Sequence, residues 1–132
     1  MPCTTILVGR NASHDGSTII ARNDDGAFES KRVLAHGPRE EAGSYKSVRS
    51  HLTVPLPGNA LGYTDCPNVT KTNGLWPACG INRANVAMTA TETITSNPRV
   101  QGADPLVEGG IGEEDMLTIV LPYIHSAREG VQ

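Results

Sequence analysis

The chain has 132 residues, with 11 Lys and Arg against 14 Asp and Glu, a formal charge of -3 and a pI near 5.7. No basic run is longer than Lys31-Arg32, which excludes nucleic acid and anionic membrane as favoured partners. Leu, Ile, Val and Phe supply only 28 residues, 21% of the chain, and 14 Gly with 9 Pro predict much turn and loop. Either the fold is small and loop-rich, or part of its core is supplied by residues outside this chain.

The first twenty residues have neither a cationic start nor a long apolar stretch, and no window approaches the length of a membrane span. A cytoplasmic protein without a membrane partner is expected. Cys3, Cys66 and Cys79 are an odd number without a secretory signal, so a disulfide framework is not expected.

In chain order, the β-branched runs Thr4 to Gly9 and Ser17 to Arg22 flank a turn-forming Ala-Ser-His-Asp-Gly and predict a hairpin. Antiparallel pairing returns the second strand to the start of the first, which makes Cys3 and Arg22 spatial neighbours. From Gly26 to Trp76 prolines 38, 55 and 57 and scattered Gly and Asn break every periodic window. One strand around His51 to Val54 is expected there, and residues 58–74 read as loop. Strands resume at Ala78 to Asn82 and Val86 to Thr93, joined through Arg83-Ala84-Asn85, and Asn97-Pro98 closes the second. Met116, Leu117, Val120, Leu121, Ile124 and Ala127 share one helical face over Glu113 to Arg128. Acids at 113–115 suit the start of that helix, and Pro122 predicts a kink or break within it.

Cys3 carries the chemistry of greatest interest. Light trimming would make it the N-terminal residue, whose α-amine has an ordinary pKa of about 7.7–8.0 and can serve as general base without a His. A small apolar residue at a strand start explains Cys3 equally simply. Arg22 beside a thiol favours thiolate or holds a substrate carboxylate, whereas a surface ion pair with Asp24 or Asp25 is its plainer role. Asn82, beside a Gly on a strand, can donate to an oxyanion or cap a turn. The four His share no metal-ligand spacing with one another or with the cysteines. Gly109-Gly110-Ile111-Gly112 lacks a phosphate-loop pattern and reads as a helix lead-in. Cys66 and Cys79 read as structural, and Glu92 as an inward polar residue or part of a solvated strand face.

Taken together, Cys3 to Gly9, Asp15-Gly16-Ser17-Thr18, Ala21-Arg22-Asn23-Asp24-Asp25, Gly80-Ile81-Asn82, Ala90 to Ile94 and Ser126 to Gly130 resemble the amino-terminal part of the PepD-type dipeptidases. These are cysteine peptidases of the N-terminal nucleophile hydrolase superfamily. A broader similarity to bile-salt and penicillin V acylases lies in Cys3, Arg22-Asn23-x-Asp25 and Gly-x-Asn82. The resemblance implies an α+β fold, a four-layer αββα sandwich, of which residues 1–132 form the amino-terminal part of a single domain. It implies hydrolysis of small peptides, chiefly dipeptides, with no metal or organic cofactor, and leaves a homo-oligomer open. Cys3 would be the nucleophile after removal of Met1 and Pro2, Arg22 would lie beside the thiol, Asp25 would orient the amine, and Asn82 would contribute to the oxyanion hole. The alternatives are an amidase of the same superfamily acting on N-acyl substrates, and an inactive fragment with a structural role.

Overall fold

The computed structural model describes residues 3–25, 31–48, 50–70, 74–91, 95–105 and 109–132. The first two apolar runs form the expected hairpin: β1, Cys3–Val8, pairs antiparallel with β2, Ile19–Asp24. Its register sets Cys3 opposite Asp24 and Thr5 opposite Arg22. Directly opposed residues point to the same face of a sheet, and residues two apart along a strand share it, so these four side chains lie on one face.

The strands β3, Leu34–His36, β6, Tyr63–Thr70, β7, Gly74–Asn82, and β8, Ala87–Thr89, form an antiparallel sheet in the order β3-β6-β7-β8. A second hairpin, β4, Gly43–Lys46, with β5, Thr53–Leu56, stands beside it. The chain is thus a mixed α+β structure with several small antiparallel sheets. Glu92 lies outside the described residues.

Residues 58–74, expected as loop, contain the whole of β6 and are corrected here. Their Pro and Asp break the alternation a strand normally shows, yet the register shift between Asp65 and Pro67 absorbs the irregularity. Proline is tolerated at such a bulge because the ladder is already interrupted there. The strand expected at His51 to Val54 lies two residues later, as β5. Asn97, expected only to close a strand, caps α1, Pro98–Ala103: its side-chain oxygen accepts from the Arg99 and Val100 amides, each at 3.0 Å.

The amphipathic segment is broken where proline predicted. Helix α2, Glu113–Val120, passes into one 3-10 turn at Leu121–Tyr123, and α3, Ala127–Val131, follows separately. Asp115 anchors α2: its carboxylate accepts from the Gly112 amide at 3.2 Å, the Tyr45 hydroxyl at 2.8 Å and the Ser47 hydroxyl at 2.8 Å. One buried acid therefore caps the helix and ties it to β4.

Leu117 and Leu121, fully buried, pack with Val86 and Ile124, and Tyr63, Ala84, Met88 and Val120 border them. Gly80 on β7 permits this approach, since a Cβ there would meet the Thr64 carbonyl oxygen at 2.4 Å and Leu121 Cδ2 at 3.0 Å. Ile6, Leu7, Ile19 and Ile20 of the first hairpin stay exposed. With Val33, Ile81 and Met88, three of those residues, Leu7, Ile19 and Ile20, line a groove of about 1200 Å³ between hairpin and sheet. No helix among the described residues is long and apolar enough to cross a membrane.

Because Leu117 is fully enclosed, Leu117→Ala is expected to cost about 3 kcal/mol of unfolding free energy, from lost transfer energy and the cavity left behind. Denaturant unfolding of wild type and variant measures it, and a change under about 1 kcal/mol would mean that the site collapses around the smaller side chain.

Candidate active site

Cys3 and Arg22 meet as the hairpin register requires. Arg22 Nη2 donates to Cys3 Sγ at 3.3 Å, and the thiol in turn donates to Asp24 Oδ1 at 3.6 Å. The guanidinium is held from several sides. Its Nε donates to Asp24 Oδ1 at 2.7 Å, Nη2 bonds the same oxygen, and Nη1 donates to the Ala78 carbonyl of β7 at 3.3 Å. Glu113 Oε1, at the start of α2, lies 3.9 Å from Nη2. Arg22 is thereby largely buried, with a side chain only 7% exposed. Buried guanidinium is stable only with such partners.

Asp24 is the acid at the thiol. Its second oxygen pairs with Lys31 Nζ, so one carboxylate stands between two cations. Burial pushes its pKa up, but the hydrogen bonds from Lys31 and Arg22 and their charges outweigh burial and hold the carboxyl below its ordinary value. Strand alternation was the signal for this residue: Arg22 and Asp24 are two apart on β2, and Asp24 is opposite Cys3.

Asp25 lies one residue beyond β2 and accepts from Asn23 Nδ2 at 2.8 Å, while Asn23 Oδ1 accepts from the Thr4 amide at 2.8 Å. The structure thus connects Asp25 to the strand bearing Cys3 through Asn23. The ion pair expected of Arg22 with either acid is made with Asp24. Glu113 and Lys31 are further charged neighbours that the motifs did not single out.

Asn82 has a different setting. It is buried, and its Nδ2 donates to the carbonyls of Leu121 at 2.8 Å and Ile124 at 2.7 Å. Its Oδ1 accepts from the Ala84 and Val86 amides, both at 3.0 Å. Both amide hydrogens of this side chain are therefore engaged by these two carbonyls. These four bonds are the geometry of the turn-capping alternative.

Cys66 and Cys79 are half-buried on the bulged pair β6 and β7. Burial pushes the Cys79 thiol up, and neighbouring Cys66 adds to the shift while Arg22 opposes it. Among the described residues no cluster of three or more His, Cys, Asp or Glu is placed to hold a metal ion. His36 Nε2 instead pairs with Asp65 Oδ2 at 3.0 Å and its ring stacks on Tyr63, with centroids 4.3 Å apart.

A thiol flanked by a buried guanidinium and a shared carboxylate, on the first strand of an α+β structure, defines an arrangement suited to nucleophilic cysteine chemistry. The comparison with known proteins specifies the family. Residues 2–132 match Peptidase family C69, and the chain belongs to that family. It is 61% identical to "Probable dipeptidase B" of Lactococcus lactis subsp. lactis over 98% of its length, and 57% identical to "Dipeptidase" of Bifidobacterium longum over all of it. It is 40% identical to "Probable dipeptidase" of Salmonella dublin over 98% of its length. The chain spans 28% of the length of the first two relatives and 31% of the third.

Two outcomes follow from these settings. Asn82→Ala removes the donor to two carbonyls and the acceptor of two amides, and is expected to cost on the order of 3 kcal/mol in denaturant unfolding, with a cost below about 1 kcal/mol showing that water replaces it. Asp24, with its folded pKa below the ordinary 3.8, contributes stability that is fully present above that value and is lost as pH falls through the lowered folded value. Unfolding free energy measured from neutral pH into acid should therefore fall less steeply in Asp24→Asn than in wild type.

Proposed function

We propose that this chain carries the nucleophile end of a dipeptidase that hydrolyses short peptides through Cys3. The observation that carries the reading is the Arg22 guanidinium 3.3 Å from the Cys3 sulfur, in a member of Peptidase family C69. Its relatives named as dipeptidases support the substrate class.

In this reading Met1 and Pro2 are removed and the new α-amine of Cys3 is the general base, oriented by Asp25. The amine takes the thiol proton, and sulfur attacks the scissile carbonyl carbon to give a tetrahedral oxyanion, which a backbone N–H stabilises. The intermediate collapses to a thioester as the leaving amine receives the proton held by the α-amine. Water, deprotonated by the same amine, then attacks the thioester, releasing the acid and restoring the thiol. Arg22 lowers the cost of the thiolate throughout. We assign Asn82 the structural task its bonds describe: fixing the 82–86 turn and the end of the helical segment against one another.

The same reading makes these residues the amino-terminal part of a single αββα domain of the N-terminal nucleophile hydrolase type. The greater length of the relatives and the exposed Ile6, Leu7, Ile19 and Ile20 support it. Further polypeptide of the kind the relatives carry would cover those side chains.

Cys3→Ala in the full-length enzyme is expected to reduce dipeptide hydrolysis below about one-thousandth of wild type, with the circular dichroism spectrum unchanged. Undiminished turnover would remove Cys3 from the mechanism. A panel of free dipeptides against N-acyl amino acids completes the test, since turnover confined to the N-acyl compounds would replace the dipeptidase by an amidase using the same thiol.

A further inference from the structure

We propose that Asp24 is the positioning residue of this site: it fixes the Arg22 guanidinium against the Cys3 sulfur, a task separate from the amine-orienting one assigned to Asp25. The proposal rests on the reading of Cys3 as nucleophile.

A guanidinium is a rigid planar fork, so fixing two of its nitrogens fixes where the rest of it points. Nε and Nη2 of Arg22 both bond Asp24 Oδ1, and Nη1 donates to the Ala78 carbonyl at 3.3 Å. These bonds leave the plane no freedom to rotate, and in this orientation Nη2 reaches Cys3 Sγ at 3.3 Å. The strand register supplies the same answer from the backbone, because Cys3 opposes Asp24 and Thr5 opposes Arg22 on one face. No loop movement is needed to assemble the three groups.

Asp24 acts on the sulfur in two opposing ways. Through Arg22 it holds a cation at the thiol and favours thiolate. Directly, its carboxylate 3.6 Å from Sγ accepts the S–H and disfavours thiolate. Sharing that carboxylate with Lys31 offsets the direct effect. Among the described residues, other titratable groups facing the cluster are Glu113, 3.9 Å from Arg22 Nη2, and the Cys79 thiol, whose ionisation responds to both Arg22 and Asp24. Without Asp24, Glu113 Oε1 remains 3.9 Å from Nη2, so removing the aspartate is expected to turn the cation toward α2 and away from the sulfur. Position and direct charge therefore predict opposite signs, which makes the proposal testable.

The measurement is the rate of iodoacetamide alkylation of Cys3 in the full-length protein as a function of pH, read by mass spectrometry on the N-terminal peptide so that Cys66 and Cys79 do not contribute. Asp24→Ala is expected to raise the pH midpoint by about one unit and to lower kcat for dipeptides about tenfold, with KM unchanged within about twofold. Asp24→Asn keeps an acceptor oxygen for the fork while losing the charge, so its midpoint is expected at or below that of wild type. Should Asp24→Ala not fold, Asp24→Glu replaces it with the same expected rise, because one added methylene displaces the oxygen. An unchanged or lowered midpoint in the Ala or Glu variant overturns the proposal, as does an equal rise in Asn and Ala. Failure of the wild type to cleave dipeptides would sink the dipeptidase reading alone, since alkylation requires no substrate.

Discussion

One buried guanidinium joins the parts of this structure. Arg22 starts on β2, reaches the Cys3 sulfur on β1, bonds the Ala78 carbonyl on β7 and approaches Glu113 on α2. Among the described residues a further tie of the first hairpin to the main sheet is the contact between the Thr5 and Thr89 hydroxyls at 3.2 Å. Removing a charged group from water costs several kcal/mol unless partners compensate, so the hairpin, sheet and helix must hold their relative positions for Arg22 to remain buried. The same requirement fixes the environment of the thiol.

Asn82 performs the corresponding task at the other side of the core. The segment after α2 presents the Leu121 and Ile124 carbonyls, and the turn between β7 and β8 presents the Ala84 and Val86 amides. One carboxamide satisfies both sets at once. The turn places Asn85 at a φ of 60°, a conformation that Asn accepts more readily than most residues. Leu117 and Leu121 can then meet Gly80 at contact distance, so the apolar core depends on a polar residue at its edge.

The hairpin was legible in the sequence because two β-branched runs flank a turn, and its consequence for Cys3 and Arg22 followed from antiparallel geometry alone. The break at Pro122 was legible because proline lacks the N–H a helix needs. Strand β6 was not, since Asp65 and Pro67 remove the alternation, and its pairing with β7 depends on a bulge that only tertiary context reveals. At the site, the arginine's acid was left between Asp24 and Asp25 because adjacent residues look alike in a motif. They differ by a face of the strand, and the register with Cys3 decides between them. Asn82 offered an oxyanion donor and a turn cap, and the Leu121 and Ile124 carbonyls its amide meets lie some forty residues away, beyond what the local motif reveals.

Distance along the strand separates the site from the apolar groove beside it. Leu7 shares a face with Cys3 and Thr5, as Ile20 does with Arg22 and Asp24, so polar chemistry and apolar surface run along one side of the hairpin. Leu7 is four steps along the strand from Cys3, about 13 Å. An extended dipeptide spans roughly 7 Å, so one bound with its carbonyl at the sulfur falls well short of the groove. In the proposed dipeptidase reading, Leu7, 69% exposed, and Ile20 therefore lie outside the reach of the substrate. In the proposed reading their apolar surface serves packing: covered by further polypeptide, it would turn the sparse set of large apolar residues in this chain into one wall of a larger core.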